Sequence, residues 1–332
     1  MSNPTVVFPA PREVELRDRE RPTPGEGEVV IESRTSTVST GTEITVLSGE
    51  YPDNSAWDEY GEYPFVTGYS NVGTVIEAGA EADIEIGKRV VTLTPHAAYV
   101  TARAKNCVAV PDGVSDREAS AFAIARIVMN GIRRGRVDWG ETVVVYGCGI
   151  LGQFAVRLCR LAGAETVVGV DLADNRLAHL PDESGIVPVN ASDEDPTEVV
   201  REHTDGRMAD VTFEVTGDPD AIPGEFDVLG EQGRLVLLSS PRGKTTLDYH
   251  DHVNAPSHEI IGAHMTSHPD VATPQHPWTV ERHTELYFSS LQQGRLSVAD
   301  LFTHVRNYED APGLYRDLLD DRTRAMGVQI EW

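Results

Sequence analysis

Cysteine and lysine are both scarce in this 332-residue chain, and long apolar runs are missing altogether. The three cysteines, Cys107, Cys148 and Cys159, are odd in number and form no C-x-x-C pair, which excludes a disulfide framework and a thiolate zinc cage. No stretch approaches the roughly 20 apolar residues that span a bilayer, and Met1 to Glu20 holds no signal-peptide core. A cytoplasmic protein with no membrane partner is therefore expected. Lys88, Lys105 and Lys244 are the only lysines among 28 basic residues, which face 53 acidic ones. The resulting net charge of -25 speaks against nucleic acid as a partner. Because the acids are spread along the whole chain, they read as a halophilic surface, stable where concentrated salt screens self-repulsion. The acidic stretch Ser192 to Glu198 reads as a solvated loop.

What the chain does have is one short stretch of high information. Val143-Val144-Val145-Tyr146 forms a buried strand, Gly147-Cys148-Gly149-Ile150-Leu151-Gly152 fits G-x-G-x-x-G, and an apolar-periodic segment follows at once. The first glycine permits a tight turn, the second lets a pyrophosphate approach the backbone, and the third allows close helix-strand packing. Leu151, Phe154, Ala155, Leu158, Cys159 and Ala162 recur at helical spacing until Gly163, and Thr166 to Val170 makes a second strand. Asp171 ends that strand, where a carboxylate accepts from ribose hydroxyls and repels a 2′-phosphate. NAD is the expected cofactor. Arg176, five residues on, would tolerate the phosphate and keeps NADP as the alternative. Ile150, Leu151 and Leu172 lie beside these positions. Thr216 and Ser239, at the ends of later strands, join the cofactor set because open α/β sheets bind ligands at their carboxyl edge.

The chain is long enough for two cores. Before residue 115 it reads as short strands (Glu28 to Glu32, Gly73 to Ala78, Arg89 to Leu93, Cys107 to Val110) broken by proline and glycine. From Asp116 strands alternate with helices, with later strands at Asp210 to Val215, Arg234 to Leu238 and Glu259 to Gly262. A helix near Val280 to Gln293 and a strand at Ala325 to Glu331 close the chain.

This order resembles the medium-chain dehydrogenase/reductase superfamily, on Thr40-Gly41-Thr42-Glu43, Gly68-Tyr69-Ser70-Asn71-Val72-Gly73, Val108-Ala109-Val110-Pro111-Asp112-Gly113 and the glycine turn. Val38-Ser39 ahead of Thr40, with Ser240-Pro241-Arg242-Gly243, is most similar to the subgroup around bacteriochlorophyllide dehydrogenase and related sugar or polyol dehydrogenases. The resemblance implies an α/β fold: a Rossmann doubly wound parallel sheet over 119-266, plus a GroES-like β-barrel catalytic domain over 1-118 and 267-332. It also implies a homodimer or homotetramer paired through Glu259 to Gly262.

Zinc-dependent members of that superfamily carry C-G-T-D and then G-H-E-x-x-G. Here Thr40 stands for the cysteine, Tyr69 for the histidine, Ser70 for the glutamate, and about Phe122 for the third ligand. Neutral hydroxyls are poor zinc ligands, so no zinc is expected. Something else must then bind the substrate oxygen and manage its proton. Thr42, Tyr69 and His96 are the catalytic candidates, and Thr40, Arg126 and His264 the substrate-binding ones. The implied function is a zinc-independent, NAD-dependent dehydrogenase that interconverts a small-molecule secondary alcohol, a sugar or polyol, and its ketone. Two alternatives stand beside it: a quinone or enoyl reductase using NAD(P)H, and a dinucleotide-binding protein without catalysis.

Overall fold

Along Glu28–Val38, every residue from Val29 onward is buried except Glu32 and Arg34, and this run forms the longest strand of the protein, β3. The computed structural model describes residues 2–269 and 271–332. These form two compact units, Met1–Ala123 with Thr284–Trp332, and Ile124–His283. The chain thus changes unit at 123/124 and 283/284, against the 118/119 and 266/267 that the resemblance implies.

In the first unit β1 (Ser2–Phe8) pairs antiparallel with β2 (Glu15–Glu20) and β4 (Phe65–Val66). The larger sheet runs β15 (His304–Asn307), β16 (Val328–Glu331), β3, β5 (Asn71–Ala78), β6 (Arg89–Thr92), β8 (Val108–Ala109), while β7 (Tyr99–Arg103) pairs with β3. One core joins Val6 and Phe8 to Ile44 and Leu47 of the helix Thr40–Ser48 and to Leu314 and Leu318 of the helix Ala311–Asp320. Each such side chain contributes roughly 1.5–3 kcal/mol by leaving water. The sequence patterning missed β1, β2, β4, β7 and β15. In β2 five of the six residues are charged and none is buried, so backbone pairing rather than alternation makes it a strand.

The second unit holds a six-stranded parallel sheet in the order β11 (Ile186–Asn190), β10 (Thr166–Asp171), β9 (Thr142–Tyr146), β12 (Ala209–Glu214), β13 (Leu229–Leu237), β14 (Glu259–Gly262). Val143, Val144 and Val145 of the central β9 are fully buried, as a strand covered on both faces requires. The helix Ile150–Ala162 ends on Gly163, whose φ of 114° lets its N–H reach the Cys159 and Arg160 carbonyls. Both layers match the expected α/β class. The Ser192 to Glu198 reading needs correction at its end: Asp195 caps a helix Pro196–His203 by accepting from the Thr197 N–H, so only the first residues are loop.

Candidate functional site

The glycine-rich turn follows β9. Gly147 has φ 93°, and a Cβ on Gly152 would lie 1.8 Å from the Gly147 carbonyl oxygen, so neither position accepts a side chain without displacing the backbone. Gly149 precedes the helix Ile150–Ala162 and faces open space where a Cβ would be. A backbone that tight, opening onto a helix N-terminus, suits a pyrophosphate. Ile150 and Leu151 form the first turn of that helix.

Asp171 ends β10 and is 8% exposed. Its Oδ2 accepts from the Cys148 N–H at 2.7 Å, and its Oδ1 from the Leu172 and Ala173 N–H groups at 2.8 and 3.0 Å. Arg176 Nη1 stands 3.5 Å from Oδ2. The acid therefore ties the end of β10 to the glycine turn, with Arg176 beside it. Leu172 is 71% exposed next to this carboxylate.

Thr216 and Ser239, placed apart by sequence, meet on one residue that sequence reading passed over. Glu214 is fully buried at the end of β12; it accepts from Thr216 Oγ1 at 2.7 Å, from the Gly217 N–H at 2.8 Å, and from Ser239 Oγ. It aligns two loops of the carboxyl edge. Its only sequence signal was a carboxylate near the carboxyl end of a strand.

In the first unit the helix Thr40–Ser48 carries Thr40 and Thr42, both half-buried, at its start. Tyr69 Oη donates to Ser39 Oγ at 2.7 Å, which brings the phenol to the helix end that bears them. Three of the hydroxyl candidates thus converge. Tyr60 lies near this group, and burial, with the neighbouring Tyr69 phenol and the Glu43 carboxylate, pushes its phenol up to about 12.

His96 departs from its expected role. It is fully buried; Nε2 donates to Glu43 Oε2 at 3.1 Å, and Nδ1 pairs with Ser36 Oγ at 2.8 Å. Both nitrogens are engaged away from solvent, so it cannot touch a substrate as it stands. Glu43 also accepts from the Ser39 N–H at 2.7 Å, from Thr67 Oγ1 at 2.6 Å and from Tyr315 Oη. Burial opposes ionisation of Glu43, but His96, Thr67 and Tyr315 outweigh it and hold the carboxyl below its ordinary value. This cluster fastens the start of the helix that carries Thr42.

The residues at the zinc-ligand positions do not suit zinc. Thr40 and Tyr69 offer neutral hydroxyls, and Phe122 is a buried ring. Glu43 and His96 are consumed by each other, and among the described residues no group of three His, Cys, Asp or Glu side chains is placed to hold a metal.

Arg126 and His264 belong to the second unit. Arg126 is buried on the helix Phe122–Arg134, whereas His264 is exposed and its Nδ1 pairs with Thr266 Oγ1 at 2.8 Å.

Residues 25–155 match the family model of the alcohol dehydrogenase GroES-like domain, and residues 151–279 match that of the zinc-binding dehydrogenase. The chain is 27% identical to D-guloside 3-dehydrogenase of Escherichia coli (strain K12), over 97% of this chain and 99% of that one. Its fold is similar to that of 2R,3R-butanediol dehydrogenase from Bacillus subtilis, with a TM-score of 0.81, 18% identity and full coverage of both chains. An alcohol dehydrogenase from Escherichia coli CFT073 complexed with NADH has a TM-score of 0.83 at 17% identity, again covering both chains fully. At those identities the two structures speak to fold alone. Among the described residues no helix is long and apolar enough to cross a membrane.

Proposed function

Because the chain belongs to the medium-chain dehydrogenase/reductase superfamily, we propose that it is a zinc-independent, NAD-dependent dehydrogenase of a secondary alcohol, a sugar or polyol. The observation that carries this reading is the glycine turn: Gly152 packs so closely that a Cβ would lie 1.8 Å from the Gly147 carbonyl oxygen, while Gly149, at the start of the helix, faces open space where a pyrophosphate could approach the backbone. The named relative D-guloside 3-dehydrogenase, matched nearly end to end, supports alcohol chemistry on a sugar. The NADH complex of the structural neighbour supports a nicotinamide cofactor. Asp171 favours NAD by its negative charge at the position a 2′-phosphate would take.

A bound nicotinamide dinucleotide supplies the hydride acceptor for alcohol oxidation. Gly147, Gly149 and Gly152 would hold its pyrophosphate at the start of the helix Ile150–Ala162, and Asp171 would bind its adenosine ribose. Tyr69 Oη donates to Ser39 Oγ, which holds the phenol at the start of the helix that carries Thr42, in place to meet a substrate oxygen. Thr42 is the second hydroxyl for that oxygen. The Glu43–His96 pair positions both by fixing Ser39 through its N–H.

The test is a cofactor-reduction assay in concentrated KCl, with NAD and NADP against panels of polyols, glycosides and enones, with and without a zinc chelator. Turnover of alcohols with NAD, unchanged by chelator, is the expected result. Consumption of enones alone with NADPH would replace this reading with a reductase, and NADH binding without any turnover would replace it with a cofactor-binding protein.

A further inference from the structure

The helix Phe122–Arg134 presents Arg126, Asn130 and Arg133 at i, i+4 and i+7, hence on one face. Asn130 Nδ2 donates to Ser267 Oγ at 2.8 Å, and Arg133 Nε donates to His283 Nε2 at 3.1 Å. With Nε2 accepting, the His283 proton sits on Nδ1 and is donated to His268 Nε2 at 3.1 Å; His268 in turn donates through Nδ1 to the Met265 carbonyl at 3.0 Å. Both imidazoles are therefore neutral. Burial first, then competition from the adjoining His268 for a proton and the positive charges of Arg133, Arg126 and Arg282, push His283 down to about 3.

Trp278 sits within this group. The guanidinium carbon of Arg133 is 3.3 Å from its ring centroid and that of Arg282 3.7 Å, while the His283 ring stacks on it at 5.5 Å and 17°. The two guanidinium groups are thus at most about 7 Å apart, close enough to repel each other appreciably. Burial and then Arg282 lower Arg133 to about 10. Arg282 also lies in the first turn of the helix Val280–Gln292, the end at which the helix dipole disfavours a cation. Among the described residues every charge that shifts Arg133 or His283 is positive, and no carboxylate pairs with Arg133 or Arg282. In a chain of net charge -25 this is a marked departure.

We propose that Arg133, Arg282 and Trp278 form an oxyanion subsite for a phosphate-class dianion, held between the two guanidinium forks at the edge of the indole. Two fixed positive charges match a dianion and leave a carboxylate one charge short. Planar guanidinium forks suit tetrahedral oxyanions through paired N–H donors. The neutral His283–His268 chain orients Arg133 through Nε, which leaves its two terminal nitrogens for the ligand, while Arg282 is fixed by Nη1, which donates to the Pro277 carbonyl at 3.0 Å, and offers Nη2 and Nε. Both arginines are exposed, so the subsite is open to solvent.

Calorimetric titration of the full chain with inorganic phosphate, at ionic strength held constant with KCl, tests the proposal. Saturable one-to-one binding is expected, weakened at least tenfold by Arg282→Gln and by Arg133→Gln, with the unfolding temperature of Arg282→Gln unchanged. Absence of saturation, or an Arg282→Gln variant that binds as the parent does, overturns it. Binding needs no turnover, so this arm is independent of the dehydrogenase reading. A second arm compares a polyol monophosphate with its parent polyol as substrates. If Arg282→Gln raises KM only for the phosphorylated one and phosphate competes with it, the substrate carries the anion; if neither KM responds to phosphate, free phosphate is the ligand.

Discussion

His96 donates from Nε2 to Glu43 Oε2 across 3.1 Å in a pocket sealed from solvent, and Gly68 is what makes room for it. A Cβ at Gly68 would stand 2.5 Å from the imidazole, and its φ of 98° already lies where side chains are strained. Glu43 binds partners from four stretches of chain: Ser39, Thr67, His96 and Tyr315.

Removing one side of this pair leaves the other buried without its partner. His96→Ala and Glu43→Ala should each cost about 3–5 kcal/mol, read from denaturant unfolding. Because Glu43 titrates below its ordinary value in the folded protein, its contribution is complete above the unfolded carboxyl range and is lost as pH falls through the folded value. Stability should therefore decline on acidification below about pH 4.5, and Glu43→Gln should flatten that decline. A variant as acid-sensitive as the parent would show that other groups set the slope.

Gly152→Ala must push a methyl group into the Gly147 carbonyl. The expected result is a loss of NADH affinity of at least about tenfold, or 1.4 kcal/mol, by fluorescence titration. Unaltered affinity would mean that the dinucleotide binds elsewhere.

Asp171→Asn keeps an acceptor for the Leu172 or Cys148 N–H while removing the charge that faces a 2′-phosphate. With Arg176 then unopposed, the ratio of kcat/KM for NADP over NAD should rise about tenfold or more. An unchanged ratio would take cofactor selection away from this carboxylate.

Thr42→Val and Tyr69→Phe remove the two hydroxyls at the start of the helix Thr40–Ser48. Each should lower kcat about tenfold or more while leaving NADH binding intact, since each hydrogen bond to a charged or developing-charge oxygen is worth about 1.5–3 kcal/mol. A Tyr69→Phe variant with full activity would assign the substrate oxygen to Thr42 alone.

With 53 acidic residues against 28 basic ones, the folded chain repels itself at low salt. Its unfolding temperature should rise between about 0.1 and 2 M KCl, because the Debye length shrinks from about 10 Å to a few ångströms. A flat response would remove the halophilic reading.

What was legible in the sequence was what is local. The glycine turn, its helix and the acid at Asp171 span 25 residues, and their spacing states their geometry because each glycine answers a constraint set by a near neighbour. Five of the six parallel strands of the second unit were legible too, β9 most plainly because a strand buried on both faces is apolar throughout, whereas β11 was not. Strand β2, with Glu15, Arg17, Asp18, Arg19 and Glu20, was not, because it is held by its ladder to β1 and not by its own pattern.

By itself, then, the sequence determined that a dinucleotide turn exists, that the ligand positions of a zinc site hold hydroxyls and a phenyl ring, and that the surface is acidic. Only the tertiary structure decided what surrounds each side chain. His96 looked like a free imidazole until Ser36, Glu43 and Gly68 closed around it, and Glu214 like a strand-end acid until Thr216 and Ser239 met on it. The Arg133–Trp278–Arg282 stack joins residues as much as 149 positions apart. Burial and pairing depend on such distant partners, and a linear pattern records neither.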